Sequence, residues 1–580
     1  MTEATHRAPR ARLLNGLMLM AAVVSAISGG LYGYDTGIIS GALLQISKEF
    51  HTGPGMEEII AAGILLGAVI GALACSVLSE RIGRHRTILL IATVFILGST
   101  ASSRAPTAVT LALARVLLGL AVGGATQTVP MYVAELAPAA IRGRLVLCFQ
   151  LAIGVGIVTA TLVGASRSVS WRVEIGAAAV PALVLLLLEL RLPESPRWLV
   201  QHGHQDKAEK VLKDVRPHGY DIFPELGEIT DLEVCQQQTS QRNQGWSGLR
   251  QRWVRPALLV GCGIAAFTQL SGIEMIIYYA PTILTRNGFS TAAALQVSVG
   301  LGVTYLVMMV VGLSIVDKIG RRRLTLVMVP GAAVSLFVLG ALFVTGNDRR
   351  DDVPFIVACL LVFMFFNAGG LQLMGWLTGS EIYPLAIRSA GTAVQSATLW
   401  STNLLITLTL LTLMIALGVG QVFWLYGLFN VAAWLFVWRR MPELTGHSLE
   451  DIEKHLREGR FRPRDFTTLR PRITRQSGGS EPPAELHHRG RRSGPWLTQQ
   501  SGRPGYGPVL SSRLAHPSGI ARCCKPMCPL PPAPLRGGQA RSFPDAGTEV
   551  GVQVGPVFVD GAFLDEPLHP IAESALTLTR

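Results

Sequence analysis

The sequence predicts an all-α membrane protein of twelve transmembrane helices, arranged as two six-helix bundles. Three observations predict this class: a deficit of charge, a series of apolar runs of spanning length, and a repeat that relates the two halves of the chain. Of the 580 residues, 49% are hydrophobic and only 15% are charged, whereas a globular domain carries about 25% charged residues. Twelve helices of about 20 residues would use about 240 residues, which leaves enough chain for loops. This composition argues against a soluble multidomain enzyme.

Apolar runs give the order of the predicted helices. The first run follows a basic N-terminus, and no small-residue cleavage site follows at signal-peptide distance. We therefore interpret it as a retained span and not as a signal peptide. The twelve runs begin near Leu13, Ile59, Thr87, Val109, Leu145, Val173, Pro256, Ala292, Leu324, Val353, Ile387 and Gln421.

The distribution of positive charge predicts which side of the membrane each loop faces. Arg and Lys concentrate in the loops after even-numbered spans, for example at Arg84, Arg144 and Arg323, whereas the odd loops are close to neutral. By the positive-inside rule, both termini are cytoplasmic, and we expect a multi-pass protein of the cytoplasmic (inner) membrane. Because this topology explains the net charge of 51 − 38 = +13, we expect no nucleic-acid partner.

The chain divides into five predicted segments. A polar stretch of mixed charge separates the two bundles, and its spacing indicates short helices on the cytoplasmic side. After about residue 460, Pro, Gly, Ser and Arg dominate, so the tail is predicted to be largely disordered. Its Cys523, Cys524 and Cys528 could bind a metal or carry a palmitoyl group, but no second half-site accompanies them. The segments are the cytoplasmic N-terminus 1–12, the N-terminal bundle 13–191, the cytoplasmic central loop 192–255, the C-terminal bundle 256–440 and the cytoplasmic tail 441–580.

Two loop motifs occur once in each half of the chain. Glu80-Arg-Ile-Gly-Arg-His-Arg86 follows span two, and Asp317-Lys-Ile-Gly-Arg-Arg-Arg323 follows span eight. Glu135-Leu-Ala-Pro-Ala-Ala-Ile-Arg142 follows span four, and Glu381-Ile-Tyr-Pro-Leu-Ala-Ile-Arg388 follows span ten. The offsets, 317 − 80 = 237 and 381 − 135 = 246, nearly agree. A six-helix unit that occurs twice is typical of a transporter built from two parallel halves around a midplane site.

The acidic residues of these loops predict more than topology. Basic loops alone would orient the helices, whereas acidic residues at matched positions provide partners for Arg that can break and re-form as the halves move. The predicted cytoplasmic gate comprises Glu80, Arg84, Glu135, Arg142, Asp317, Arg321, Glu381 and Arg388.

Two charged residues lie inside predicted spans, Asp35 in span one and Arg115 in span four. A carboxylate at the bilayer centre costs about 2.5–3.5 kcal/mol or more, so Asp35 must face protein or a wet cavity. Gly119 and Gly123 follow Arg115 at helical spacing and allow another helix to approach closely. The pair could be a fixed tie between two helices. Alternatively, protonation of Asp35 releases Arg115 and allows the halves to move.

Further motifs in the chain are Gly33-Tyr-Asp-Thr-Gly37, Pro130-Met-Tyr132, Pro193-Glu-Ser-Pro-Arg197, Gln269-Leu-Ser-Gly272 with Tyr278-Tyr279, Trp376, Trp400 and Pro442-Glu-Leu-Thr-Gly446. Together with the repeated loops, they resemble the sugar porter family of the major facilitator superfamily over roughly residues 13–453. The last motif departs modestly from the usual Pro-Glu-Thr-Lys-Gly. The resemblance implies the major facilitator fold. It also favours proton coupling, since symporters of the family carry Asp at the position of Asp35, whereas animal uniporters carry Asn.

The resemblance also implies a set of substrate-binding residues. Sugars are recognised by amides and carboxylates that bind hydroxyls and by aromatic faces that cover ring C–H groups. For the Trp residues, core packing or anchoring at the membrane surface is an alternative role. The implied substrate-binding residues are Gln150, Gln269, Glu274, Tyr278, Tyr279, Trp376 and Trp400.

Several of these positions depart from the family pattern. Glu274, Tyr305 and Leu399 replace Asn residues, Thr268 replaces the first Gln of a pair, and Gly370-Leu-Gln372 replaces a Gly-Pro pair. Glucose as the substrate therefore does not follow. Glu274 could recognise a different polyol, bind an amino group, titrate as a second proton site or be a structural, hydrogen-bonded acid.

The function expected from these features is proton-coupled import of a monosaccharide or related polyol by alternating access. A facilitative uniporter of the same fold is the alternative, followed by a non-transporting sugar sensor, which the long tail suggests. The sequence contains no P-loop, metal cluster or nucleophile motif, so we expect no enzymatic activity, no cofactor and no metal. The expected partners are the sugar or polyol, the proton and the lipid bilayer, and we expect a monomer.

Overall fold

A computed structural model describes residues 15–466, except 139–140, 167, 218–219, 239–244, 346–352, 446 and 448. The described part of the chain is helical, and it contains twelve helical spans long and apolar enough to cross a membrane. The twelve predicted spans are thus confirmed. The predicted disordered tail, with Cys523, Cys524 and Cys528, lies outside the described residues.

Nine of the spans are single helices and three are interrupted. Span six consists of Trp171–Gly176 and Ala179–Glu189, span seven contains Arg255–Leu270 and Ile273–Arg286, and span ten contains Val353–Gly369 and most of Leu371–Ile382. In chain order, the spans are Gly16–Phe50, Pro54–Ile82, Arg84–Ser103, Ala108–Leu136, Arg142–Ala165, Trp171–Glu189, Arg252–Arg286, Thr291–Ile319, Arg321–Thr345, Val353–Gly379, Arg388–Leu417 and Val419–Arg440.

Shorter helices lie outside the spans. Gln205–Val215 is amphipathic and buries Ala208, Leu212 and Val215 on one face. Arg216 then donates a hydrogen bond to the carbonyl of Leu136, at 2.7 Å, and so attaches this segment to the end of span four. The shorter helices are Pro196–Gln201, Gln205–Val215, Phe223–Gln238, Gly245–Gly248 and Leu449–Arg457, with 3₁₀ turns at Arg252–Val254 and Leu385–Ile387.

The spans pack as two groups of six. In the first group, span one packs along span five, span two along span four, and span three against spans four and six. In the second group, span nine packs against spans ten and twelve, span eight against span ten, and span seven against span eleven. The two groups meet where span two packs along span eleven, span five along span eight, and span one against span seven.

Glycine determines how closely spans one and five approach. A Cβ atom added at Gly29 would lie 2.1 Å from the carbonyl oxygen of Phe149, and one at Gly33 would lie 1.9 Å from that of Ile153. No side chain fits at either distance. The close contact of these two helices therefore requires glycine.

The chain direction defines two ends of the molecule. We call the end that carries the starts of spans three and nine, with Arg84 and Arg321, the basic end. The other end carries the start of span two, with Glu57, and the end of span seven, with Arg286. We call it the opposite end.

Candidate functional site: a buried ion pair beside a polar cluster

An ion pair lies between spans one and four. Arg115 Nη2 is 3.4 Å from Asp35 Oδ2, and Arg115 Nε donates to the carbonyl of Ile60 in span two at 2.9 Å. Arg115 is fully covered, and Asp35 is 4% exposed. Among the described residues, Arg115 Nη1 has no hydrogen-bond partner. Because the Ile60 carbonyl holds the guanidinium more closely than Asp35 does, Arg115 would stay anchored to span two if Asp35 lost its charge.

A half-helix begins beside the centre of the molecule, at the break in span seven. The break falls at Gly272, whose φ of +92° is accessible mainly to glycine. The following half-helix Ile273–Arg286 starts with unpaired backbone N–H groups and the positive end of a helix dipole. Glu274 lies in its first turn and is 2% exposed. Discontinuous helices of this kind form the midplane sites of transporters.

Aromatic side chains from both groups of spans surround this region. Tyr32 of span one meets Trp400 of span eleven edge-on, with ring centroids 5.3 Å apart, and Trp376 of span ten lies 6.4 Å from Trp400. Tyr32 is also within electrostatic range of Glu274 and Tyr278. The structure thus brings together four of the seven predicted substrate-binding residues.

Tyr278 connects this aromatic cluster with the ion pair. It lies within hydrogen-bonding reach of Thr36, the residue after Asp35, and within electrostatic range of both Asp35 and Glu274. The neighbouring Tyr279 has a different environment, since its hydroxyl donates to the carbonyl of Thr407 at 3.1 Å and ties span seven to span eleven.

Several buried polar atoms have no hydrogen-bond partner within the described part of the chain. Buried donors and acceptors are nearly always paired, and an unpaired one costs about 1–3 kcal/mol. A polar ligand would supply the missing partners. Four of the residues concerned are predicted substrate-binding residues. Such atoms occur in many of the described helices, and they include Gln150 Nε2, Gln269 Oε1, Glu274 Oε2, Asn367 Nδ2 and Oδ1, Gln372 Oε1 and Trp400 Nε1.

At the basic end, predicted gate residues pair within each group of spans. Arg84 Nε lies 3.1 Å from Glu135 Oε2. Arg321 Nη2 lies 2.7 Å from both Glu381 Oε1 and Asp317 Oδ1. Each pair joins residues of one six-span group. These contacts therefore stabilise the end of each group and do not connect the two groups.

Glu80 makes one of the contacts between the groups, at the basic end. It accepts a hydrogen bond from Ser389 Oγ of span eleven at 2.6 Å. Of the other predicted gate residues, Arg388 Nε donates to the carbonyl of Tyr383 at 3.3 Å, and Arg142 Nε is buried without a hydrogen-bond partner among the described residues.

The two Pro-Glu motifs of the sequence cap helices at the basic end. Glu194 accepts from the first two backbone N–H groups of span three, at 2.8 and 3.2 Å. Glu443 accepts from the first two of span nine, at 2.9 and 3.2 Å. A carboxylate at this position satisfies otherwise unpaired donors and interacts favourably with the helix dipole. The two motifs therefore have the same structural role in the two halves.

Residues 21–456 match the family described as "Sugar (and other) transporter". The chain belongs to this sugar transporter family. A D-xylose transporter of Levilactobacillus brevis is 37% identical over 436 residues, which are 74% of this chain and 94% of the relative. A galactose-proton symporter of Escherichia coli is 34% identical over 443 residues, 75% of this chain and 94% of the relative.

A solved structure of the proton:xylose symporter XylE, of the major facilitator superfamily, bound to 6-bromo-6-deoxy-D-glucose, has a similar fold. The TM-score is 0.64 at 28% sequence identity, over 75% of this chain and 98% of that chain. This similarity confirms the major facilitator fold predicted from the sequence. The chain therefore belongs to a sugar transporter family and has this fold. It is a multi-pass membrane protein.

The structure of this sugar transporter family member adds two buried polar residues that the sequence analysis does not assign. Tyr32 contacts Trp400 and is within electrostatic range of Glu274, but a Tyr in an apolar run gives no signal by itself. Asn367 is fully covered with both amide atoms unpaired in the described structure. The sequence does contain a signal for Asn367, because it is a lone amide in span ten just before Gly369-Gly370.

Proposed function

We propose that the protein imports a monosaccharide or related polyol together with a proton, by alternating access. The observation that carries this proposal is the buried Asp35–Arg115 pair, which lies within electrostatic range of Tyr278, as does the buried Glu274. The names of the relatives agree with it, since one transports D-xylose and another couples galactose to protons.

The polar cluster suits a neutral molecule with many hydroxyl groups. Gln150 offers an amide donor, whereas Gln269 and Gln372 offer carbonyl acceptors. A sugar hydroxyl can both donate and accept, so hydroxyl groups suit donors and acceptors of either kind. The indole rings of Trp376 and Trp400 can cover the apolar ring face, and Trp400 Nε1 is an additional donor.

In the proposed coupling step, the charge of Asp35 changes. The ionised carboxylate attracts Arg115 of span four and holds spans one and four together. Protonation removes this attraction, while Arg115 keeps its hydrogen bond to the Ile60 carbonyl. Span one can then move with span seven, to which Tyr278 and Thr36 link it. Loss of the proton on the other side restores the ion pair and resets the cycle.

We further propose that the basic end faces the cytoplasm, because Arg and Lys concentrate in the loops there. In this orientation, the Arg84–Glu135 and Arg321–Glu381 pairs shape the cytoplasmic ends of the two bundles. Glu80 and Ser389 close the path between them.

The proposal is tested by uptake into proteoliposomes across a panel of radiolabelled hexoses, pentoses and polyols, with and without an imposed pH gradient. We expect at least one compound to accumulate above its external concentration only when the gradient is present. Uptake that stops at equal concentrations on both sides of the membrane, with or without the gradient, would indicate facilitated diffusion and not symport. Binding without uptake of any compound would favour a sensor.

A further inference from the structure

Four arginines cluster where span nine begins and span twelve ends. The two spans pack against each other, and both of these helix ends lie at the basic end. Three of the four side chains are exposed, whereas Arg322 is partly buried. Its Nη2 donates to the carbonyl of Trp438 at 2.9 Å, and its Nε is buried without a hydrogen-bond partner among the described residues. We call Arg322, Arg323, Arg439 and Arg440 the arginine cluster.

Within the part of the chain that the structure describes, no side chain of the arginine cluster forms an ion pair with an acid. Asp317 and Glu381 pair with Arg321. Glu443 lies close by, but its carboxylate accepts from backbone N–H groups at the start of span nine. Even when Glu443 is counted, the cluster keeps a charge of 4 − 1 = +3. A bound anion would supply the acceptor that Arg322 Nε lacks.

The first half of the chain has an acid at the equivalent place. His85 is the second residue of span three, as Arg322 is of span nine. Glu189 and Trp438 each precede the capping glutamate of their half by five residues. His85 Nδ1 lies 3.2 Å from Oε1 of the fully covered Glu189. The first half therefore has an internal carboxylate where the second half offers only a backbone carbonyl, and a need for positive charge at this end does not explain the difference.

The surface beside the arginine cluster suits the boundary between headgroups and acyl chains. Trp438 is 49% exposed and stacks on Trp434, with ring centroids 6.2 Å apart and planes at 5°. The guanidinium carbon of Arg439 lies 5.8 Å from the centre of the Trp438 ring. Tryptophan is enriched at membrane interfaces because one side of its ring system is apolar and the other polar. Val327 and Val334, further along span nine, are also exposed.

We propose that the arginine cluster binds the phosphate of an anionic phospholipid, whose acyl chains lie along the exposed face of spans nine and twelve. Guanidinium groups bind phosphate oxygens in pairs, and basic pockets at the ends of membrane helices recognise anionic headgroups. Because Glu189 already provides the negative charge in the first half, we expect the preferred site in the second half. The site is separate from the buried Asp35–Arg115 pair and does not depend on the proposed import.

Lipid binding is measured by native mass spectrometry of the full chain in detergent. The probes are dioleoyl phosphatidylglycerol and dioleoyl phosphatidylcholine, which have the same acyl chains but differ in net charge. We expect the first to bind more tightly, and Arg322→Gln combined with Arg439→Gln to weaken its binding about tenfold. The matched control is Arg86→Gln combined with Arg191→Gln. It removes the same charge from the first half and should change binding less than about twofold.

A second pair of variants tests the comparison of the halves, and it decides the matter if the double arginine variant does not fold. Trp438→Glu places a carboxylate where the first half has Glu189 and should weaken phosphatidylglycerol binding, whereas Trp438→Gln, which also lacks the ring, should weaken it less. Equal binding of the two lipids, or equal losses in the two double variants, would show only a general attraction and overturn the proposal. Displacement of the lipid by inorganic phosphate, but not by chloride at the same ionic strength, would assign a soluble anion instead.

Discussion

Arg115 lies closer to a carbonyl oxygen of span two than to the acid it faces. Its Nε contact with the Ile60 carbonyl is 2.9 Å, and its contact with Asp35 is 3.4 Å. A guanidinium has five N–H donors in a fixed plane and can make both contacts at once, whereas a lysine ammonium is a point charge on a flexible stem. The geometry therefore explains why an arginine, and not simply a positive charge, stands at this position.

We predict that Asp35→Asn abolishes uphill transport but preserves exchange. An amide resembles the protonated acid in shape but cannot release a proton, so the attraction for Arg115 is absent at every pH. A potential of 100 mV supplies about 2.3 kcal/mol per proton, and without a titrating group it can no longer drive accumulation. Movement of the loaded carrier needs only the released state, so counterflow of labelled against unlabelled sugar should continue.

The measurement compares gradient-driven accumulation and counterflow in the same proteoliposomes, with wild type as the reference. Accumulation by the Asp35→Asn protein that collapses with a protonophore would show that another group carries the coupling proton. Glu274 would then be the first residue to test, because it is buried beside Tyr278.

Glu274 should determine whether the site prefers a ligand group that donates a hydrogen bond or one that accepts it. An ionised carboxylate only accepts hydrogen bonds, whereas a glutamine also donates. We predict that, when Glu274 is ionised, replacing the hydroxyl that it binds by fluorine weakens binding to the wild type at least as much as replacing it by hydrogen, because neither can donate and fluorine is repelled. Glu274→Gln should bind the fluoro compound more tightly than the deoxy compound. Binding measured by calorimetry for a deoxy and fluoro series checks this, and the same ranking in both proteins would exclude the contact.

At the scale of helices, the contact of spans one and five allows a matched test of packing. A Cβ at Gly33 would lie 1.9 Å from the carbonyl oxygen of Ile153, whereas one at Gly30 would meet its nearest atom at 3.8 Å, an ordinary contact. Gly33→Ala should therefore lower the melting temperature in detergent strongly. Gly30→Ala should leave it unchanged or raise it slightly, because alanine favours the helix by about 0.5–1 kcal/mol. Equal melting temperatures for the two variants would show that spans one and five can separate without cost.

Sequence periodicity predicts the spans well but does not reveal where they break. Hydropathy averaged over a helix length hardly changes at one or two residues, so the interruptions of spans six, seven and ten leave the apolar runs intact. Gly272 takes a positive φ at the break of span seven, and the apolar run does not show which of its glycines does so. The Asp35–Arg115 contact was predictable, since few other charges lie inside spans.

Contacts between helices that are distant in the sequence are harder to predict. Glu57 and Glu58 follow a loop and resemble ordinary surface charges in the sequence, yet the partner of Glu58 is 354 residues away. Glu80 was expected to pair with an arginine, but it bonds to Ser389. Local spacing cannot indicate such partners because they depend on how the two groups of spans meet.

At the scale of the whole molecule, we predict that the chain after about residue 470 is dispensable for transport. The tail is rich in Pro, Gly and Arg and lacks apolar periodicity, a composition that predicts no packed core. A protein truncated there should reach the membrane and transport at about the wild-type rate, as checked by surface labelling and uptake in parallel. Normal surface levels with lost uptake would assign the tail a role in transport.

The capping glutamates also bear on the origin of the two halves. Glu194 and Glu443 lie beyond the sixth and twelfth spans, yet each completes the start of the third span of its own half. Their offset, 443 − 194 = 249, is close to the 237 and 246 of the loop motifs. If the halves descend from one duplicated ancestor, the ancestral module extended past its sixth helix to include this glutamate. An attempt to express the first half alone should therefore end after Glu194 and not at the last residue of the membrane span.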